Sequence, residues 1–350
     1  MIRVALDAMG GDHGLACAVE GAARLSLEPV DIEIVLAGDQ PSVEAALKRH
    51  RHDPSRLRIV HAEGCVAMDA KPGEALAEQP NCSILTAARL VAEGEADALV
   101  SAGNTGATIL AAARTFERLP GVRRAALAAV YPTAKTHGPH RDPFALMLDV
   151  GATLKAAPED LVAFAVMGAA YSSIVSQIDE PRVALLSNGT EATKGTKSIV
   201  TAHDLLEQSQ LRFTGNVEGL DIPRGSVDVV VCDGFLGNVV LKMLEGVSDV
   251  VKDLMTLAAR RRWQWRLGLA LLRGRLQELR RLTDWKAYGG APLLGLDQVV
   301  IKAHGRSEAL ALRNAIKVAA KAVRGDLIGK IRHGIAELGL GDPAGDSAIG

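Results

Sequence analysis

The sequence predicts a three-layer, doubly wound α/β domain on a mostly parallel sheet. Three observations carry that expectation. Nine short apolar runs of strand character alternate with helical patterns along most of the 350 residues, the order that covers both faces of a sheet with helices. The composition is aliphatic and small, 48% hydrophobic but 3% aromatic with 35 glycines, which suits helices packed closely on strands. Six of the runs end in a cluster of Gly with Asp, Asn or His and then pass into a helical pattern, the arrangement found where such sheets bind ligands.

Taken in order, IRVALD opens the chain and passes through DAMGGDHG into a helix over Leu15 to Leu27. DIEIVLA precedes a helix from Ser42 to Arg51, and LRIVHA precedes one from Ile84 to Glu93. ADALVSA runs through SAGNTGA into a helix over Thr105 to Arg118. AALAAVY and FALMLDV follow, the latter leading by DVGAT to a helix over Pro158 to Ile178. RVALLS leads by SNGTEATKG to a helix from Lys194 to Gln208. VDVVVCD ends in CDGFLGN, and DQVVIKA ends in KAHGRSE before a helix over Ser307 to Val323. This divides the chain into an α/β domain of residues 1–240 and 283–337, a helical arm of 241–282, and a flexible tail of 338–350.

Composition excludes several functions. The formal net charge of −1 gives no global attraction to nucleic acid. Cys17, Cys65, Cys82 and Cys232 form no CxxC pair and the chain shows no secretory leader, pointing to a reducing cytoplasm without disulfides. No stretch reaches about 18 uninterrupted apolar residues, so no transmembrane helix is expected. No HExxH or Cys/His spacing marks a metal site, and no GxSxG elbow marks a nucleophile. The first Gly cluster is not GxGxxG and no acid follows at the ribose distance, so neither a dinucleotide nor another cofactor is expected.

In a parallel sheet, all six clusters would lie on one edge. Helix N-termini there present unpaired N–H groups and the positive end of the dipole, which suits phosphate. Gly and Asn after a strand also serve as ordinary turn and capping residues. Six such clusters together favour a shared anion site. The candidate residues are Asp7, Gly10, Gly11, Asp12 and His13 in the first cluster, and Asn104, Thr105 and Gly106 in the second. Asn188, Gly189 and Lys194 follow, then Asp233, Gly234, Asn238 and Lys242, and finally His304 and Gly305. His13 either binds an anion, acts as a general acid or caps its helix. Asn104 either steadies an oxyanion or is an N-cap. A lysine just inside a helix start opposes the dipole, so Lys194 reads as serving an anion. A site of anion binders without its own nucleophile fits a reaction in which bound phosphate attacks.

Residues 258–281 break the compositional pattern. They hold eight arginines and one acid, Glu278, a surplus of seven positive charges that leaves about −8 on the rest of the chain. Trp265, Leu269, Leu272, Leu276 and Leu279 form one helical stripe, with Arg262, Arg266, Arg273 and Arg280 beside it. Trp263, Leu267 and Leu271 form a second apolar row. Such a helix fits a dimerisation arm, an interfacial helix on anionic lipid, or a dock for an acidic carrier protein.

In this order, DAMGGDHG, SAGNTGA, LDVGA, VALLSNGTEATKG, VVVCDGFLGNVVLK and YGGAPLLGLDQVVIKAHG resemble the acyl-[acyl carrier protein]:phosphate acyltransferase family of bacterial phospholipid synthesis, over about residues 2–325. The resemblance implies the fold of the isopropylmalate dehydrogenase and phosphotransacetylase group, with a protruding helical arm. It implies transfer of a long-chain acyl group from acyl carrier protein to inorganic phosphate, with hand-off of the acyl phosphate to a membrane glycerol-3-phosphate acyltransferase. It implies a homodimer in the cytoplasm that associates peripherally with the membrane. By motif it carries over Gly10 to His13, Asn104 to Gly106, Lys194, Asp233, Gly234, Asn238, Lys242, His304 and Gly305. Thr153 and Ser187 stand where the family commonly has Asn. The runner-up function is a short-chain phosphotransacetylase using coenzyme A.

Overall fold

The computed structural model describes residues 1–139, 141–261, 274 and 289–339. The strands are β1 (Ile2–Asp7), β2 (Ile32–Gly38), β3 (Leu57–His61), β4 (Ala98–Ser101), β5 (Ala126–His137), β6 (Asp142–Leu148), β7 (Val183–Leu186), β8 (Phe213–Val217), β9 (Val229–Val231), β10 (Ala291–Leu294) and β11 (Val299–Lys302). The helices are α1 (Gly14–Ser26), α2 (Gln40–Leu47), α3 (Pro72–Glu78), α4 (Ser83–Ala92), α5 (Thr105–Thr115), α6 (Pro158–Val175), α7 (Lys197–Glu207), α8 (Asp221–Arg224) and α9 (Gly234–Arg261). Two more, α10 (Ala309–Arg324) and α11 (Leu327–Glu337), follow β11. All nine expected strands form; β8, β10 and four helices (α3, α8, α11 and the start of α9) join them.

One sheet runs β3-β2-β1-β4-β11-β10-β5-β6-β9-β7-β8. Because strand side chains alternate faces, β1 sends Val4 and Leu6 to one core and Ala5 to the other. The first core packs under α1, α2, α6, α7, α10 and α11, and the second under α3, α4, α5, α8 and the first turns of α9. Helix α6 is buried on nearly all sides from Asp160 to Ser172, which matches its lack of a polar face. The three expected layers are therefore present.

The sheet is mostly parallel, but its polarity reverses. The β10–β11, β10–β5 and β5–β6 pairs are antiparallel, and the remaining pairs are parallel. Strands β1, β4 and β11 consequently run one way, and β6, β7 and β9 run the other. The six glycine clusters do not share one parallel edge, as the sequence suggested. They form two groups of three, because two antiparallel hairpins intervene.

Helix α9 continues without a break across residue 240, where the sequence reading placed the start of the arm. The arm residues Arg262, Trp263, Trp265, Arg266, Leu267, Leu271 and Arg273, and the tail from 340 on, lie outside the described residues. Among the described residues, no helix is long and apolar enough to cross a membrane.

Candidate active site

The β1, β4 and β11 termini build one wall. After Asp7 the chain turns through Gly11 (φ +102°) and Gly14 (φ +51°), conformations that cost glycine little. The Asp12 N–H donates to the Gly305 carbonyl at 2.8 Å, tying this turn to the β11 loop. His13 stands at the N-cap of α1, exposed, with no side-chain capping bond. The capping reading of His13 is thereby excluded.

Asn104 does cap α5: its Oδ1 accepts the Ala107 N–H at 3.1 Å. Its Nδ2 donates to the Met68 and Ala70 carbonyls, each at 3.0 Å. These bonds engage both of its N–H groups and favour the capping reading, in which Asn104 anchors the 67–70 loop. That loop sets the Met68 side chain against Gly305, with Cε 2.6 Å from where a Cβ would stand. Gly106 is glycine for a packing reason, since Pro72 Cγ lies 2.5 Å from its Cβ position. The Thr105 and Gly106 N–H groups belong to the helix turn whose donors have no intrahelical partner.

Behind this wall lie three polar residues in register. Asp7 pairs with Ser101 and Lys302 pairs with Ser101, as the last residues of three adjacent parallel strands. All three are buried. Burial pulls the Lys302 ammonium down to about 8, against the upward pull of Asp7 and Asp12. Its Nζ donates to the Ala303 carbonyl. Lys302 and Ser101 were missed by sequence reasoning; the available signal was a β-rich apolar run, VVIK, closing on a charge. His304 accepts the Arg306 N–H on Nδ1 at 3.1 Å. Burial lowers its pKa; Lys302, Lys242 and Arg306 act in the same direction, and Glu245 opposes them.

The β6, β7 and β9 termini build the second wall. Buried Asp149, also passed over in the sequence, knots it: its carboxylate accepts the N–H groups of Leu127, Gly151, Ala152 and Thr153 at 2.6–3.1 Å. Burial nevertheless raises its pKa. Thr153 Oγ1 accepts the Gly234 N–H at 3.2 Å, joining the DVGAT and CDGFLGN loops. Asp233 caps α9 by accepting the Leu236 N–H at 2.8 Å. Asn238 is exposed one turn on. Lys194 lies in the loop before α7, because Thr196 is the N-cap and Gly195 turns at φ +107°. The dipole argument for Lys194 therefore falls, but it stays exposed beside Gly189, its Cγ 2.8 Å from that Cβ position.

Helix α9 links the walls. Its first turn presses on Asp149, whose carbonyl oxygen lies 1.9 Å from a Cβ position at Gly237. Two turns later Lys242, paired with Glu245 at 2.7 Å, lies in the field of His304. Eight residues at about 1.5 Å each put Lys242 roughly 12 Å along the helix from Gly234. The first wall offers helix N-termini, backbone N–H groups and the buried Lys302; the second carries the exposed Asn238 and Lys194. Among the described residues, His203, Asp204 and Glu207 bring metal-capable atoms within 4.8 Å of one another, but they are neighbours on one turn of α7 and no second element contributes.

A family described as "Fatty acid synthesis protein" matches residues 2–330. Curated relatives named "Phosphate acyltransferase" match nearly end to end. The one from Desulfitobacterium hafniense (strain Y51) is 42% identical over 95% of this chain and 97% of its own. The one from Alkaliphilus oremlandii is 36% identical over 97% and 98%. The chain belongs to the phosphate acyltransferase family. Solved structures agree on the fold of this family member. A phosphotransacetylase from Streptococcus pyogenes gives a TM-score of 0.61 at 17% identity, covering 92% of this chain and 94% of that one. The EutD phosphotransacetylase from Staphylococcus aureus gives 0.59 at 17%, with the same coverage.

Proposed function

We infer that this chain moves a long-chain fatty acyl group from the thioester of an acyl carrier protein to inorganic phosphate, giving acyl phosphate for phospholipid synthesis. The observation that carries this reading is end-to-end similarity to phosphate acyltransferases in a chain whose strand termini form an anion-binding wall. In the proposed reaction, phosphate rests on the Gly10–Gly11 and Thr105–Gly106 backbone at the N-termini of α1 and α5, with Lys302 behind it. An unprotonated oxygen of monohydrogen phosphate attacks the thioester carbon, the C–S bond breaks, and the carrier's thiolate leaves, taking up the proton that the phosphoryl group releases to become the free thiol. Asn238 faces the developing oxyanion and Lys194 adds positive charge from the second wall. Holding both reactants in one cleft makes the attack effectively unimolecular.

The test is phosphate-dependent thiol release by the purified chain. Palmitoyl carrier protein should react and acetyl-coenzyme A should not. Reaction with acetyl-coenzyme A alone would make this a short-chain phosphotransacetylase, and no reaction with either would refute the reading.

The proposal extends to the protein's surroundings. Phe235, Val239, Met243, Val247, Val250, Leu254 and Leu257 are exposed along one stripe of α9, more apolar surface than a lone helix keeps in water. A second copy of the chain covers it in the proposed homodimer. The arginine–tryptophan segment that follows lies on anionic lipid, which places the amphiphilic product beside a membrane glycerol-3-phosphate acyltransferase. Liposome flotation with Trp263, Leu267 and Leu271 changed to Glu tests this; unchanged flotation would leave the arm as a dimer element.

A further inference from the structure

The Asp7–Ser101–Lys302 row poses a charge problem. A carboxylate 2% exposed stands directly behind a wall built to receive an anion. One of its oxygens is accounted for: Oδ2 accepts the Ser101 hydroxyl at 2.7 Å. Ser101 Oγ is itself fixed by the Gly103 N–H at 3.0 Å and the Thr108 hydroxyl at 3.3 Å. The other, Oδ1, is buried with no hydrogen-bond partner among the described residues.

Two glycines let the backbone pack directly against this carboxylate. A Cβ on Gly10 would meet Asp7 Oδ2 at 2.5 Å and Gly103 Cα at 2.7 Å, and a Cβ on Gly103 would meet Oδ2 at 3.1 Å. Asp7, Gly10, Gly103, Asn104 and Thr108 line a recess there with room for about one water-sized group. Its mouth adjoins the backbone on which phosphate is proposed to rest. A tetrahedral ion that turned one oxygen into this recess would meet Asp7, which can only accept a hydrogen bond from it.

We propose that Asp7 is a specificity-determining residue that accepts the hydroxyl of monohydrogen phosphate, so that the site takes tetrahedral oxyanions carrying a proton and rejects those without one. This inference rests on the phosphate-binding reading above. Lys302, in the same row, offsets the repulsion between Asp7 and the rest of the dianion. Arsenate, which carries a proton near neutral pH, is accepted. Sulfate and fluorophosphate, of the same charge and similar size, carry none; they would set a bare oxygen against a buried carboxylate. Sites that hydrogen-bond a ligand hydroxyl discriminate strongly against analogues lacking it, and at least about 10²-fold is expected here.

The experiment is titration calorimetry of the full chain at pH 7.5 with phosphate, arsenate, sulfate and fluorophosphate, run beside the thiol-release assay. Phosphate and arsenate should bind at least about 10²-fold more tightly than sulfate and fluorophosphate. In Asp7→Asn, whose amide can donate, sulfate should gain and the preference should fall below about 10-fold. If the variant does not fold, the two protonless anions still decide the matter on the wild-type chain. Sulfate or fluorophosphate binding as tightly as phosphate, or undiminished preference in Asp7→Asn, overturns the proposal. Preference without thiol release would instead refute the transferase reading and leave Asp7's role standing.

Discussion

Asn104→Ala separates anchoring from chemistry at the position where the sequence left both open. The alanine removes the cap on the Ala107 N–H and the donors to Met68 and Ala70. A lost N-cap costs about 1 kcal/mol, and each lost hydrogen bond roughly 0.5–1.5 kcal/mol, so the expected loss is about 2–4 kcal/mol. Asn104→Asp keeps the acceptor for Ala107 but sets a carboxylate against two carbonyls, so it should recover only the cap. Releasing the 67–70 loop also frees Met68 from Gly305, and the phosphate KM should rise in both variants. Urea unfolding gives the stabilities and the thiol-release assay gives KM and kcat. An Asn104→Ala protein of wild-type stability whose kcat alone falls about 10²-fold would show that the amide serves the oxyanion, refuting the anchoring argument.

Other perturbations follow from single contacts. Gly237→Ala puts a methyl 1.9 Å from the Asp149 carbonyl; it should undock the start of α9 and yield unfolded or inactive protein, and a normal melting curve would contradict this. Asp228 is held well below the usual carboxylate range, despite burial, by His137 and Arg182. Its contribution is present above about pH 4 and fades as pH falls, so Asp228→Asn should cost about 3–5 kcal/mol at neutral pH and flatten the acid limb of stability. Burial lowers Lys302 from 10.5 to about 8, so the folded state loses its proton first and wild-type stability rises between about pH 8 and 10.5. Lys302→Met should therefore be more stable than wild type at pH 7, by on the order of 3 kcal/mol, while binding phosphate more weakly; equal stabilities at pH 7 would count against the buried charge. Lys194→Ala should raise the phosphate KM or cut kcat by roughly 10²-fold, and near-normal kinetics would remove Lys194 from the site.

Much of the framework was legible because β1, β2, β9 and their like are short apolar runs that local pattern identifies. Strand β8, FTGNV, escaped because Gly215 interrupts it and it lies at the sheet edge, with Thr214 exposed and Phe213 and Gly215 only half-buried. Strand β10, APLL, is four residues with a proline between glycines. Strand direction is not written in hydrophobicity, so the reversal at the β5–β6 hairpin could not be read, and a single site edge was expected where two walls exist. The loops carrying the candidate site were found by their glycines. The row behind them was not, because Asp7, Ser101 and Lys302 meet only through the register of strands separated by 94 and by 201 residues. Lys194 was found for a reason that failed: the helix begins three residues later than its pattern suggested.

The central claim is that the β1, β4 and β11 wall receives the phosphate. A crystal structure of the chain soaked in phosphate tests it most directly. The ion should lie within hydrogen-bonding distance of the Gly10–Gly11 and Thr105–Gly106 N–H groups, with one oxygen turned toward Asp7. Phosphate bound solely at the β7 and β9 loops, or absent from the cleft at concentrations that support thiol release, would contradict it.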